Sequence, residues 1–156
     1  MDIEPLDAEL WFSALNQLDQ RRKLENGSGL ERQLRLAYLL QQLAPRPLRE
    51  RTRPTCDERA YEALLESGAY ESASRALVGP PFLYTIRILA EHAVEAAVRM
   101  PGDGAAILVC AAEPASALLG AWLGCLQGLR CGALMPRNEP EGPEVLKVSA
   151  GTRPLN

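Results

Sequence analysis

Residues 82–100 read FLYTIRILAEHAVEAAVRM, and this stretch satisfies two periods at once. As a helix, it places Arg87, Glu91, Glu95 and Arg99 in a polar stripe at four-residue spacing, and its Ala- and Glu-rich second half favours helix. As strands, Phe82, Tyr84, Ile86 and Ile88 alternate with Leu83, Thr85, Arg87 and Leu89. Val94, Ala96 and Val98 then alternate with Glu95, Ala97 and Arg99. The β-branched and aromatic first half decides for strands. The expectation is a strand near 82–89, a turn at Ala90 to Ala93, a strand near 94–100, a tight turn at Pro101-Gly102-Asp103-Gly104, and a strand near 105–112. This makes the chain α+β, with a small antiparallel meander after residue 80; read as one long helix, the same stretch would make it mostly α.

The meander leads into Pro114–Leu129, PASALLGAWLGCLQGL, which carries no charge and reads as a buried apolar helix. Leu118, Leu119, Trp122, Leu123, Leu126 and Leu129 recur at helical spacing. Ser116, Gly120, Gly124 and Gly128 form a second stripe that is nearly bare of side chains. Glycine inside a helix costs about 1 kcal/mol against alanine, so Gly120, Gly124 and Gly128 are expected to serve a close helix-packing contact or a homodimer seam. Bracketed by Glu113 and Arg130, the run falls short of the roughly 20 apolar residues of a membrane span.

Towards the N-terminus, Leu6, Leu10, Ala14 and Leu18 repeat beside Trp11 and Leu15, predicting an amphipathic helix over 5–24 that stops at Asn26-Gly27. Ser28-Gly29-Leu30-Glu31 has capping-box spacing and predicts a second helix, 29–44, ended by Pro45. Its short connection to the first favours an antiparallel hairpin. Between Pro45 and Pro54, Arg46, Arg49, Arg51 and Arg53 alternate with prolines and polar residues, which predicts a stiff, non-helical basic connector. Thr55-Cys56-Asp57-Glu58 repeats the capping-box spacing and opens a short helix, 57–66. Gly68-Ala69-Tyr70-Glu71-Ser72-Ala73 resembles the G-x-Y-x-x-A junction between the two helices of a tetratricopeptide repeat. No second copy occurs at the repeat period, and Gly79-Pro80-Pro81 cuts the following helix short, so the resemblance implies one helical hairpin and no array.

The 156 residues, 47% apolar and 24% charged, fit one globular domain. Within 1–156 the divisions are a helical hairpin at 1–44, the connector at 45–54, an α+β core at 55–131 and a Pro/Gly-rich tail at 132–156. The tail's strand-like run, Val145 to Val148, could add an edge strand to the meander or to a second subunit. Residues 1–20 carry Asp2, Glu4, Asp7, Glu9 and Asp19 without a Lys or Arg, whereas Arg21 to Arg59 hold ten of the seventeen basic residues. The chain opens Met1-Asp2-Ile3-Glu4 with no basic-then-apolar signal, and it is expected to be cytoplasmic and reduced.

Chemistry is sparse. Cys56, Cys110, Cys125 and Cys131 form no CxxC pair and lie far in sequence from the single histidine, His92, so neither a metal nor another cofactor is expected. Three of the four thiols sit among apolar or small residues and are expected to be buried. Glu91, His92 and Glu95 would share a helix face, but on the strand reading they fall on or beside a turn. No G-x-S-x-G elbow, phosphate-cradling loop or HExxH motif occurs, and no enzyme is expected. The function this leaves is a protein-binding module that acts by occupying a partner surface, with Arg46, Arg49, Arg51 and Arg53 as the contact set. Short proteins of this kind include phage or mobile-element inhibitors of bacterial defence such as anti-CRISPR proteins; no motif identifies one here. The alternative is a small nucleic-acid-associated regulator using Arg46 to Arg59 on phosphates, although no aromatic residues interleave to stack on bases.

Overall fold

In the computed structural model, which describes residues 3–25, 28–102 and 105–129, the ambiguous stretch is a β-hairpin. β1 (Leu83–Ala90) pairs antiparallel with β2 (Ala93–Arg99), and β2 with β3 (Ile107–Ala111). The register stacks Tyr84, Val98 and Ile107 in one row, Ile86, Ala96 and Val109 in the next, and Ile88, Val94 and Ala111 in a third. That alternation gives the sheet an inner apolar face, which a helix over the same residues would have scattered around its circumference. On the outer face, Arg87 stands directly opposite Glu95 and donates from Nε to Oε1 at 3.0 Å. Two members of the polar stripe that suggested a helix, Arg87 and Glu95, are therefore a cross-strand ion pair. His92 sits at the hairpin turn with φ 64.

The inner face packs on α6 (Pro114–Gly128), in which every residue from Ala115 to Leu123 is buried. This helix touches β2 and β3 and also two further helices, α1 (Ala8–Glu25) and α5 (Tyr70–Leu77). Its small residues explain how closely they approach. A Cβ at Gly120 would lie 2.6 Å from Cζ of Arg22, whose buried guanidinium rests on the α6 backbone and pairs with Asp19 at 3.0 Å. A Cβ at Gly124 would lie 2.8 Å from a methyl of Ile107 in β3, and one at Gly128 would meet nothing within 4 Å. Gly120 and Gly124 are thus closed by this chain's own α1 and β3. No helix of the described residues is long and apolar enough to cross a membrane.

The remaining helices are α2 (Leu30–Gln42), α3 (Arg46–Arg51) and α4 (Glu58–Glu66). α1 joins α2 through Trp11, fully buried, whose indole N–H donates to the Leu40 carbonyl at 2.7 Å. α2 joins α4 through stacked rings, Tyr38 on Tyr61 with centroids 4.4 Å apart. The Tyr61 hydroxyl donates to the Leu34 carbonyl at 3.1 Å. α4 and α5 form the hairpin implied by the repeat-like junction, with Gly68 turning the chain at φ 77 and Ala73 fully buried.

Several local expectations are corrected. Residues 45–54 are not an irregular connector, because α3 spans Arg46–Arg51 with Pro45 at its N-cap and Pro47 in its first turn. The first-turn amides of a helix have no intrahelical acceptor, so proline there forfeits no hydrogen bond. The capping box at Ser28 does not form: Gly29 occupies the cap position at φ 73, and Ser28 Oγ donates back to the Glu25 carbonyl. The second capping box fails as well: α4 is capped by Asp57, whose Oδ1 accepts from the Ala60 amide at 2.9 Å, rather than by Thr55. α1 buries Trp11, Phe12, Leu15 and Leu18 and leaves Leu10 exposed. Of the thiols, Cys125 is buried, Cys56 half-buried and Cys110 exposed. The Asn26-Gly27 stop, Cys131 and the tail at 132–156, with its run Val145 to Val148, lie outside the described residues.

Candidate functional site

Arginine is used in two ways in this chain. Arg22, Arg32, Arg35, Arg75 and Arg87 each meet a carboxylate of the same chain. Arg46, Arg49, Arg51 and Arg53 have no carboxylate partner among the described residues, and they follow one another along α3 and its exit. Arg46, Arg51 and Arg53 are exposed, and Arg49 is half-buried. Arg21, Arg59 and Arg99 also lack a carboxylate partner there, but no two of them share an element.

α3 is held down by uncharged groups. Leu48 is fully buried, and Thr52 Oγ1 donates to its carbonyl at 2.7 Å. Gln41 of α2 donates to the Arg49 carbonyl at 3.3 Å and to Thr52 Oγ1 at 3.4 Å. Because amides and a hydroxyl hold α3, the guanidinium groups of Arg46, Arg51 and Arg53 are left over. A cleft of about 340 Å³ opens here, and Arg49 and Arg53 both line it, with Ile3, Tyr38, Gln42 and Cys56 among the other walls. Arg46 and Arg51 lie outside its lining.

The two arginines in the cleft are positioned from behind. Arg49 Nη1 donates to the Ile3 carbonyl at 2.9 Å and to the Gln42 carbonyl at 3.0 Å, which fixes the plane of the guanidinium and leaves Nε and Nη2 uncommitted to any described acceptor. The backbone at Arg53 lies so close to Gly79 that a Cβ there would collide with the Arg53 carbonyl oxygen. Two residues on, the Thr55 amide donates to the Ala76 carbonyl at 2.8 Å. Tyr38 and Cys56, which also line the cleft, carry no charge. Burial, with the nearby Cys56, Glu58 and Asp57, pushes the Tyr38 hydroxyl up to about 12, and that hydroxyl donates to the Cys56 carbonyl at 3.1 Å. Burial and then Asp57 also push the Cys56 thiol up. Both groups keep their protons at neutral pH and add no negative charge of their own.

The other candidates stand apart from this corner. His92 is exposed at the hairpin tip, with Nε2 3.8 Å from Glu91 Oε2, and Glu95 is engaged by Arg87. Among the described residues no group of three or more His, Cys, Asp or Glu side chains is placed to hold a metal ion. Sequence reasoning singled out the four arginines but missed Ile3, Tyr38, Gln42 and Cys56, which reach the cleft from three other segments. No local spacing encodes that convergence; the Arg49 to Ile3 bond alone joins residues 46 positions apart. Comparison with protein-family models, with curated proteins and with solved structures gives no match to this chain.

Proposed function

We propose that the chain is a non-catalytic binding module that docks an acidic protein surface against the α3 corner. One observation carries this reading: among the described residues, five arginines elsewhere in the fold pair with carboxylates and the three that do not are scattered over separate elements, whereas Arg46, Arg49, Arg51 and Arg53 gather at this corner with no carboxylate partner. An exposed arginine contributes little to stability, but its fork of donors recognises a carboxylate strongly once water is excluded. An inhibitor of bacterial defence of the anti-CRISPR kind is a special case, in which the acidic surface belongs to the defence complex. Phosphates would also attract these arginines. Against that alternative, the one aromatic ring lining the cleft, Tyr38, is buried and stacked on Tyr61, so it offers no face to a base.

Affinity capture from a bacterial lysate tests the proposal, using the tagged full chain beside its Arg46→Ser/Arg51→Ser/Arg53→Ser variant, each with and without nuclease. The expected result is a protein retained by the wild type, lost with the variant and indifferent to nuclease. Retention that disappears on nuclease treatment assigns the corner to nucleic acid. Retention unchanged in the variant removes the corner from the function. Self-association is a second reading, favoured by exposed Leu83, Ile88, Leu89 and Leu108 on a sheet whose β1 and β3 edges are unpaired among the described residues. Gel filtration of the wild type at the monomer volume would dismiss it.

A further inference from the structure

We propose that the cleft between Arg49 and Arg53 is a carboxylate-binding notch, which receives one Asp or Glu side chain of the partner while Arg46 and Arg51 supply only general attraction. This inference rests on the reading that the corner meets an acidic protein. Binding is most specific where a charged donor is already held in its bound geometry, because the ligand then pays no ordering cost for it. Arg49 meets that condition. Two backbone carbonyls hold its Nη1, while Nε and Nη2 remain unassigned among the described residues, so the group can give a side-on pair of hydrogen bonds to a carboxylate.

Arg53 supplies the second charge from a backbone set against Gly79. A cleft of about 340 Å³ accommodates one carboxylate side chain and is small for a folded element. Asp57 and Glu58 lie near the Tyr38 wall and repel a second anion there, and Asp57 is itself occupied in capping α4. The ligand carboxylate therefore seats at the arginine end. The same guanidinium pair would accept phosphate, because an arginine fork matches the oxygens of either anion, so the two ligands have to be compared directly.

The test is an NMR titration of the isotope-labelled full chain with end-blocked tetraglutamate, with end-blocked tetraglutamine and inorganic phosphate alongside. Tetraglutamate is expected to shift the side-chain signals of Arg49 and Arg53 and the amides around Gln42 and Cys56, and tetraglutamine to shift none of them. Arg49→Gln/Arg53→Gln should weaken binding about tenfold or more, and Arg46→Gln/Arg51→Gln less than about threefold. Because Arg49 also braces Ile3 and Gln42, Arg53→Gln alone serves as a variant that removes no fold contact and should cost about threefold. If tetraglutamate binds but only Arg46→Gln/Arg51→Gln weakens it, the notch is wrong and the acidic-partner reading stands. Tighter binding of phosphate than of tetraglutamate at these residues overturns the carboxylate assignment. No shift with tetraglutamate overturns both.

Discussion

Arg35 and Arg49 are both half-buried arginines in neighbouring helices, and their surroundings are opposite. At the seam between α2 and α4, Arg35 donates from Nε and Nη2 to both oxygens of Glu62 and from Nη2 to Glu31 at 3.1 Å. That guanidinium is held well above its ordinary value by hydrogen bonds first to Glu62 and then to Glu31. Its donors facing the seam are spent inside the chain. At the α3 corner, Arg49 meets only carbonyls among the described residues, and the helix beneath it is secured by Leu48, Thr52 and Gln41. The comparison teaches that charge at the seam is neutralised within the chain, whereas charge at the corner meets no described carboxylate and, at Arg46, Arg51 and Arg53, is surplus to the described fold. Surplus charge is what a partner can use.

The first way to break the comparison is at the seam's apolar centre. Tyr61, 1% exposed, stacks on Tyr38 and bonds to α2, so Tyr61→Ala should cost about 3 to 5 kcal/mol of stability. Chemical denaturation would read it; a cost below about 1 kcal/mol would mean that α4 is not secured there.

A smaller effect is expected beneath the corner. Thr52, 1% exposed, donates to the Leu48 carbonyl and accepts from Gln41, so Thr52→Val leaves a buried amide short of one acceptor. The expected cost is about 1 to 2 kcal/mol by denaturation. An unchanged midpoint would show that the corner does not depend on this network.

The smallest effect concerns the ion pair itself. The hydrogen bond from Arg35, followed by its charge, holds the Glu62 carboxyl below the usual range. A depressed folded value means that the pair's contribution is complete above about 4.3, the ordinary value for glutamate, and fades as pH falls through the folded value. Both partners are about two-fifths exposed or nearly so, with side chains at 42% and 35%, so the contribution is under about 1 kcal/mol. Glu62→Gln should therefore lower the melting temperature slightly at pH 7 and by less at an acid pH well below about 4.3. An equal loss at both pH values would assign Glu62 a packing role instead.

Which of these features the sequence discloses follows from their range. The meander is legible because alternation and β-branched residues such as Ile86, Ile88, Val94 and Val98 act within a few positions. α6 is legible because its charge-free run has no place on the surface. α3 is not, since proline is read as a helix breaker unless its position in the first turn is known, and Pro45 and Pro47 occupy that permissive place. The distinction between Arg35 and Arg49 is also invisible locally: one is decided by Glu62 on another helix, the other by the Ile3 carbonyl near the start of the chain. Sequence marks the corner as basic. Only the fold separates the arginines that are spent from those that are free.

The most direct test of that separation measures thermal stability and partner binding on the same protein, Arg46→Ser/Arg51→Ser/Arg53→Ser. None of these three guanidinium groups is bonded to a described residue, so the melting temperature should move by no more than about 2 °C, in line with exposed substitutions worth about 0.5 kcal/mol or less. Binding of the captured protein should fall by about tenfold or more. A sharp loss of melting temperature with binding intact would contradict the account, because the corner's arginines would then belong to the fold.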